Sequence, residues 1–242
     1  DPEYFYDLLN MMISAKMSRK IGFPLSEDLV ERERIIADGT IKGCEFALKY
    51  GIAMNIAGGT HHAYSDHGEA FCMLNDQAIG AKYLLSKGLA KKILIVDLDV
   101  HQGNGTAEIF QNDSSVFTFS MHGEGNYPFK KEQSNLDIPL PKGTDDKTYL
   151  SVLKENLPKL IDAVQPDFIF YLSGVDVLES DKLGTLSLTL NGCKKRDEYV
   201  LDTCLKLKIP VQCSMGGGYS EDIKIIVEAH ANTFRLAQTL YF

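Results

Sequence analysis

The stretch from Ile93 to Gly105, ILIVDLDVHQGNG, decides how the rest of the chain reads. Ile93 to Val96 open it as a buried strand would, yet Asp97, Asp99 and His101 follow at every second position, which on a strand places all three on one face. Burying two carboxylates and an imidazole costs heavily unless something compensates their charge. A shared cation would do so: Asp99 and His101 project the same way and can chelate one ion, and Asp176 would complete the set. Two carboxylates and one histidine, with positions left for water and substrate, suit zinc or ferrous iron in a catalytic site. The plainer alternative is that Asp97 and Asp99 cap the helix after Gly105 and that His101 is a loop histidine.

Outward from this strand, apolar runs of similar length recur at Ile52 (IAMNIAG), Val116 (VFTFS), Phe168 (FIFYLSG) and Val211 (VQCSMGGG). Helix-like segments separate them, such as the one capped by Asn75 and Asp76 and stopped at Gly88. Apolar strands alternating with helices predict a mainly parallel sheet covered on both faces, a three-layer α/β/α fold. From Asp222 to Phe242 apolar residues recur at helical spacing, so a last helix should lie on the sheet with His230 on its packed stripe as a hydrogen-bonded packing histidine. The segment from Gly123 to Lys147 reads as the longest irregular one and as a candidate rim of a binding site. No repeat or low-complexity linker divides the chain, so a single domain over residues 1–242 is expected.

The 242 residues are 44% hydrophobic and 24% charged, with a net charge of −8. That balance argues against a nucleic-acid-binding face and suits a basic peptide substrate. No apolar run approaches the roughly 20 residues of a membrane span, and no basic-then-apolar leader opens the sequence. A soluble cytoplasmic protein without membrane or direct nucleic-acid partners is expected, a nuclear location being the alternative for a eukaryotic source. Cys44, Cys72, Cys193, Cys204 and Cys213 form no C-x-x-C pair, which points to buried thiols rather than disulfides or a thiolate zinc site. Oligomeric state is not legible.

In parallel α/β sheets ligands bind outside the carboxyl ends of the strands, and four polar clusters fall there. His61 and His62 follow Gly58 and Gly59, whose backbone can turn sharply beside a ligand, and they are free for proton chemistry if three other residues hold the metal. Tyr219 follows Gly216 to Gly218 and could donate a hydrogen bond to a carbonyl oxygen as charge develops on it. Taken singly, the paired histidines could be surface residues and the tyrosine a packing residue.

The segments GGTHHAYSDHGEAFCMLND, IVDLDVHQGNGT, LSGVDVLESDKLGTLSLT and MGGGYS, in this order and spacing, resemble the zinc-dependent histone deacetylase superfamily with the arginase/deacetylase fold. The passage from Gly174 to Gly184, followed by KRDEYV from Lys195, is most similar to its class IV, histone deacetylase 11-like branch. The resemblance covers nearly the whole chain. It implies that Asp99, His101 and Asp176 bind zinc, that His61 and His62 are the tandem catalytic histidines, and that Tyr219 stabilises the oxyanion. Asp97 would orient His61 and help hold a structural potassium ion, together with backbone oxygens around Asp99, His101, Ser120 and Met121. Phe71, with Ala70 before it, would wall an acyl-lysine tunnel, and Gly217 and Gly218 would fall among the substrate-binding positions. The implied activity is removal of an acetyl or longer acyl group from the lysine of a protein or from a related acylated amine.

Some positions depart from the commonest family pattern. Asn104 stands where class I enzymes carry an aspartate facing the second histidine, which should leave His62 less basic. Ala70 replaces a frequent glycine, narrowing the tunnel mouth, and Gln102 a frequent histidine. Family members usually run through an initial strand and loop before the equivalent of DPEYFYDLL, so that segment is expected to be missing. Among rival readings, a binuclear ureohydrolase would need carboxylates where Gly103 and Leu178 stand. An acetylpolyamine amidohydrolase and a catalytically impaired binding module on the same fold remain as alternatives.

Overall fold

Alternation within the central strands sets the layers. Ile93, Ile95, Phe168 and Phe170 fall in one buried cluster, whereas Leu94, Val96, Ile169 and Tyr171 fall in another, so the sheet carries apolar cover on both faces. The computed structural model describes residues 1–242. Along the chain lie α1 (Pro2–Leu9), α2 (Ala15–Ile21), α3 (Glu27–Tyr50), β1 (Ile52–Asn55), α4 (Asp76–Ser86), β2 (Ile93–Asp97) and α5 (Asn104–Phe110). They are followed by β3 (Val116–Gly123), β4 (Leu136–Leu140), α6 (Asp146–Val164), β5 (Phe168–Leu172), α7 (Leu190–Leu207), β6 (Val211–Ser214) and α8 (Ile223–Tyr241).

The six strands form one parallel sheet in the order β1-β6-β5-β2-β3-β4. One face packs on α3, α4 and α5 through Cys44, Ala47, Ala78, Ala81, Leu84 and Phe110. The other packs on α6, α7 and α8 through residues such as Leu153, Leu157, Val200, Leu201, Ala229 and Leu236. This is the three-layer α/β/α arrangement expected. A smaller cluster of Tyr4, Leu8, Ile21, Val30 and Met73 holds α1 and α2 beside the carboxyl ends of the strands. No helix is long and apolar enough to cross a membrane.

Topology selects where a ligand can sit. From β2 the chain passes through α5 to β3, one strand outward; from β5 it passes through α7 to β6 in the opposite direction. The crevice of an open parallel sheet lies where the connections diverge, between the ends of β2 and β5. Asp99 and Asp176 stand just past those two ends.

Three sequence expectations need adjustment. Strand β2 stops at Asp97, so Asp99 and His101 sit in the turn beyond it and not along a continuing strand face. That turn is closed by side chains, because the Asp99 amide donates to Asp97 Oδ1 (3.1 Å) and the His101 amide to Asp99 Oδ1 (2.9 Å). The segment from Gly123 to Lys147 is not irregular throughout: it contains β4, whose Pro139 is tolerated because β4 is the sheet edge. His230 packs as expected, buried on α8, but its Nδ1 has no hydrogen-bond partner. All five cysteines are free and buried.

Candidate metal centre and active site

Asp99, His101 and Asp176 each present a ligand atom within 4.8 Å of the other two, and all three residues are buried. His101 Nδ1 faces both carboxylates, at 3.0 Å from Asp99 Oδ1 and 3.2 Å from Asp176 Oδ2. Backbone amides hold the outer oxygens: Val100 N donates to Asp176 Oδ1 (3.0 Å) and Gly217 N to Asp99 Oδ2 (2.8 Å). Burial, and then the Asp99 charge, push the Asp176 carboxyl up to about 7. Two buried carboxylates so placed resist joint ionisation, and a divalent cation between them relieves that conflict. One nitrogen and two carboxylate oxygens converging on one point form a donor set suited to zinc, with room for further ligands.

The paired histidines sit on the loop after β1, and Asp76 at the start of α4 shapes that loop. Its carboxylate accepts from the amides of Gly59 (2.9 Å) and Thr60 (3.0 Å) and from the hydroxyls of Thr40, Thr60 and Ser214. Gly59, at φ +79°, lies where a β-carbon would come within 2.6 Å of the Gly216 backbone, so only glycine lets the two loops meet. His61 Nδ1 is 2.6 Å from Asp97 Oδ2, and His62 Nδ1 is 2.6 Å from Asn104 Oδ1. Burial alone would lower both imidazoles. For His61 the charges of Asp97 and Asp99 outweigh it and raise the pKa to about 9. For His62 burial prevails, reinforced by the neighbouring His61 charge, so this imidazole is held well below its usual pKa and stays neutral. Neighbouring groups whose environments drive them apart in this way are suited to different roles.

Tyr219 stands edge-on to His101 with ring centroids 6.5 Å apart. Burial, followed by the Asp99 and Asp176 charges, drives its phenol pKa upward, so it keeps its proton and can only donate to an anionic oxygen. Phe71 lies 6.4 Å from Tyr219 and 5.1 Å from Phe23, centroid to centroid. Two cavities of about 350 and 450 Å³ share His62, Ala70, Phe71, His101 and Tyr219 in their walls, so the cleft forks around Phe71. Gly217 lines the smaller one, whereas Gly218 is outside both linings, against Val175 and near His230. Ser120 pairs with Asp97 across β2 and β3, and Met121 follows it; both are buried.

Several residues of the site carried no clear sequence signal. Arg196 on α7 is fully buried and donates from Nη1 to the carbonyls of Leu98 (3.0 Å) and Gly174 (2.6 Å), tying together the segments that carry Asp99 and Asp176. Asp197 receives its Nε (2.8 Å) and also the hydroxyls of Tyr171 and Thr233. A charged pair on the otherwise apolar stripe of Cys193, Val200, Leu201 and Cys204 was the available hint. Tyr127, whose ring stands edge-on to His62, and Glu69, which accepts its hydroxyl, were equally silent.

The sequence matches the Histone deacetylase domain family over residues 2–234. It is 46% identical over 241 residues to an uncharacterized protein of Picosynechococcus sp., covering all of this chain and 80% of that one. Histone deacetylase 2 of Arabidopsis thaliana is 31% identical over 201 residues and histone deacetylase RPD3 of Saccharomyces cerevisiae 32% over 210, each across 81% of this chain. The chain spans about half the length of these two deacetylases, 52% and 47%. The crystal structure of the HDA15 HD domain superposes with a TM-score of 0.75 at 26% identity, over 89% of this chain and 65% of that one. A parallel sheet with a buried Asp-His-Asp cluster at its switch point and a family match across nearly every residue lead to one assignment: the chain belongs to the histone deacetylase family.

Proposed function

We propose that the protein is a metal-dependent amide hydrolase that removes an acetyl or longer acyl group from a lysine side chain or a related acylated amine. The observation that carries this reading is the convergence of Asp99, His101 and Asp176 on one point within a cleft that also contains His62 and Tyr219. Asp99, His101 and Asp176 would hold zinc or ferrous iron, which supplies Lewis acidity towards the amide carbonyl and the attacking water. His62, neutral and with Nε2 free, takes the proton from that water and returns it to the leaving amine. Tyr219 donates its phenolic hydrogen to the carbonyl oxygen as negative charge develops there. His61, oriented by its contact with Asp97 (2.6 Å), supplies mainly electrostatic support. Phe71 and Ala70 flank the alkyl chain of the substrate. Ser120, Met121 and the backbone around Asp97, Asp99 and His101 would hold a structural potassium ion. The KRDEYV segment, whose Arg196 and Asp197 brace the metal centre, supports placement in the class IV branch.

A panel of lysine peptides bearing acetyl to long-chain acyl groups, run beside an acetylpolyamine, tests the activity and ranks its substrates. Hydrolysis should be lost on chelation and restored by zinc or ferrous iron, and Tyr219→Phe should reduce kcat at least a hundredfold. Full activity of Tyr219→Phe would remove the oxyanion role; no hydrolysis of any panel member by the metal-loaded protein would remove the reading as a whole. Metal analysis of protein purified without added metal distinguishes zinc from iron.

A further inference from the structure

Asn104 alone cannot fix the state of His62. An amide presents an oxygen and a nitrogen of nearly equal size, and turning it over would offer His62 a donor where it now has an acceptor. The far side of the amide decides which way it lies. Asn104 Nδ2 donates to the Tyr64 hydroxyl (3.0 Å) and lies 3.4 Å from Glu69 Oε1. A carboxylate can receive only the NH₂ group, so Glu69 forces Asn104 Oδ1 towards His62 Nδ1. Burial opposes ionisation of Glu69, but the groups that face it favour the carboxylate and prevail: the Tyr127 hydroxyl, Lys20 Nζ at 2.9 Å and the Asn104 amide. Its side chain is 14% exposed, which shelters these contacts from water.

We infer that Glu69 is a positioning residue for the proton-transfer step, acting through Asn104 to hold neutral His62 as the Nδ1–H tautomer with Nε2 open to the cleft. Residues 69 and 104 then form a matched pair. An aspartate at 104 would place a second carboxylate oxygen where Nδ2 now lies, 3.4 Å from Glu69. With Glu69 present, asparagine is the residue that can accept from His62 on one side and donate to a carboxylate on the other. The same carboxylate also receives the Tyr127 hydroxyl, whose ring stands edge-on to His62 at 5.1 Å, so one acid sets both the partner of His62 and a wall beside it.

This rests on the hydrolase reading for its catalytic consequence but not for its structural one, and the test separates the two. Imidazole nitrogen-15 shifts of His62, assigned by comparison with His62→Ala, report the tautomer whether or not the protein hydrolyses anything. Wild type should show a single Nδ1–H form, and Glu69→Gln and Glu69→Ala a mixture of tautomers with unchanged melting curves. For an active enzyme, kcat should fall ten- to a hundredfold in Glu69→Gln with KM changed less than threefold. Asn104→Asp alone should also be impaired, whereas Asn104→Asp combined with Glu69→Gln should recover the Nδ1–H form and most of kcat. A His62 signal that stays purely Nδ1–H in both Glu69 variants overturns the inference, as does an Asn104→Asp protein as active as wild type. A tautomer shift in a protein that hydrolyses nothing would uphold it and defeat the hydrolase reading alone.

Discussion

Gly217 lies so close to Asp176 that a β-carbon on it would fall 2.0 Å from Asp176 Oδ2, while its amide donates to Asp99 Oδ2 at 2.8 Å. The glycine turn after β6 therefore closes over both carboxylates of the candidate metal centre. A side chain there must displace a carboxyl group, because Asp176 is fully buried against it.

Gly217→Ala should accordingly lose metal before it loses its fold. We expect metal affinity to fall at least tenfold, in the range seen when groups supporting metal ligands are removed. Metal content after gel filtration checks the first part and a circular-dichroism melt the second. Retention of a full equivalent of metal by a folded variant would show that the turn can shift without disturbing Asp99 and Asp176.

Arg196 and Asp197 form a buried ion pair with both side chains fully shielded from solvent. Removing one partner leaves the other charged and unpaired in the interior, so Arg196→Met should cost about 3–5 kcal/mol of stability. Arg196→Lys should not restore it, because one ammonium cannot reach Asp197 and the carbonyls of Leu98 and Gly174 from the positions the planar guanidinium occupies. Arg196→Met with Asp197→Leu should regain much of the loss, as buried pairs replaced together often do. Urea unfolding of the three variants provides the comparison, and a destabilisation below about 1 kcal/mol in Arg196→Met would argue that the pair contributes little.

Burial lowers the His230 imidazole to about 4, against the opposing pull of Asp197. In the unfolded chain the same group titrates near its ordinary 6.5. Between these values the unfolded state binds the extra proton, so stability is full above 6.5 and falls as pH drops towards 4. The ceiling for this one group is about 3 kcal/mol, from 1.36 kcal/mol per pKa unit. His122, lowered by burial to about 4, adds a second contribution of the same sign. His230→Leu should therefore flatten, without abolishing, the decline in unfolding free energy measured from pH 7 to 5. An unchanged slope would mean that His230 takes up its proton in the folded state.

What the sequence disclosed and what it hid divide along physical lines. Asp99 and His101 are two residues apart and the paired histidines adjoin, so their chemistry is carried by local spacing. The parallel sheet was legible because apolar runs such as Ile93 to Val96 recur between helix-like segments, a pattern that is also carried along the chain. Strand β4 escaped because Leu136, Asp137 and Ile138 are only partly buried and Pro139 breaks the pattern of an interior strand. Arg196 escaped because its carbonyl partner Leu98 is 98 residues away and no local rule connects them. Glu69 reads in isolation as an acid on a polar loop; its partners come from α2, α5 and the loop after β3.

Ala70 and Phe71 occupy the two central positions of a tight turn with φ +45° and +67°, a conformation that strongly favours glycine. Paired backbone hydrogen bonds between Glu69 and Cys72, both 2.9 Å, close the turn. The end of α2 then grips it: the Ala70 amide donates to the Lys20 carbonyl (3.0 Å) and the Phe71 amide to the Ile21 carbonyl (2.7 Å). A left-handed residue with a β-carbon costs about 1–2 kcal/mol, part of which the α2 contacts offset. Ala70→Gly should relieve that strain and, after the entropy glycine adds to the unfolded chain, raise stability by up to about 1 kcal/mol. The side chain of Phe71 should then sample more positions at the fork of the cleft, so KM for an acyl-lysine substrate should rise while kcat changes little. Calorimetric melting and steady-state kinetics on the same preparation test both halves, and a lower melting temperature in Ala70→Gly would show that the turn is not strained at this position.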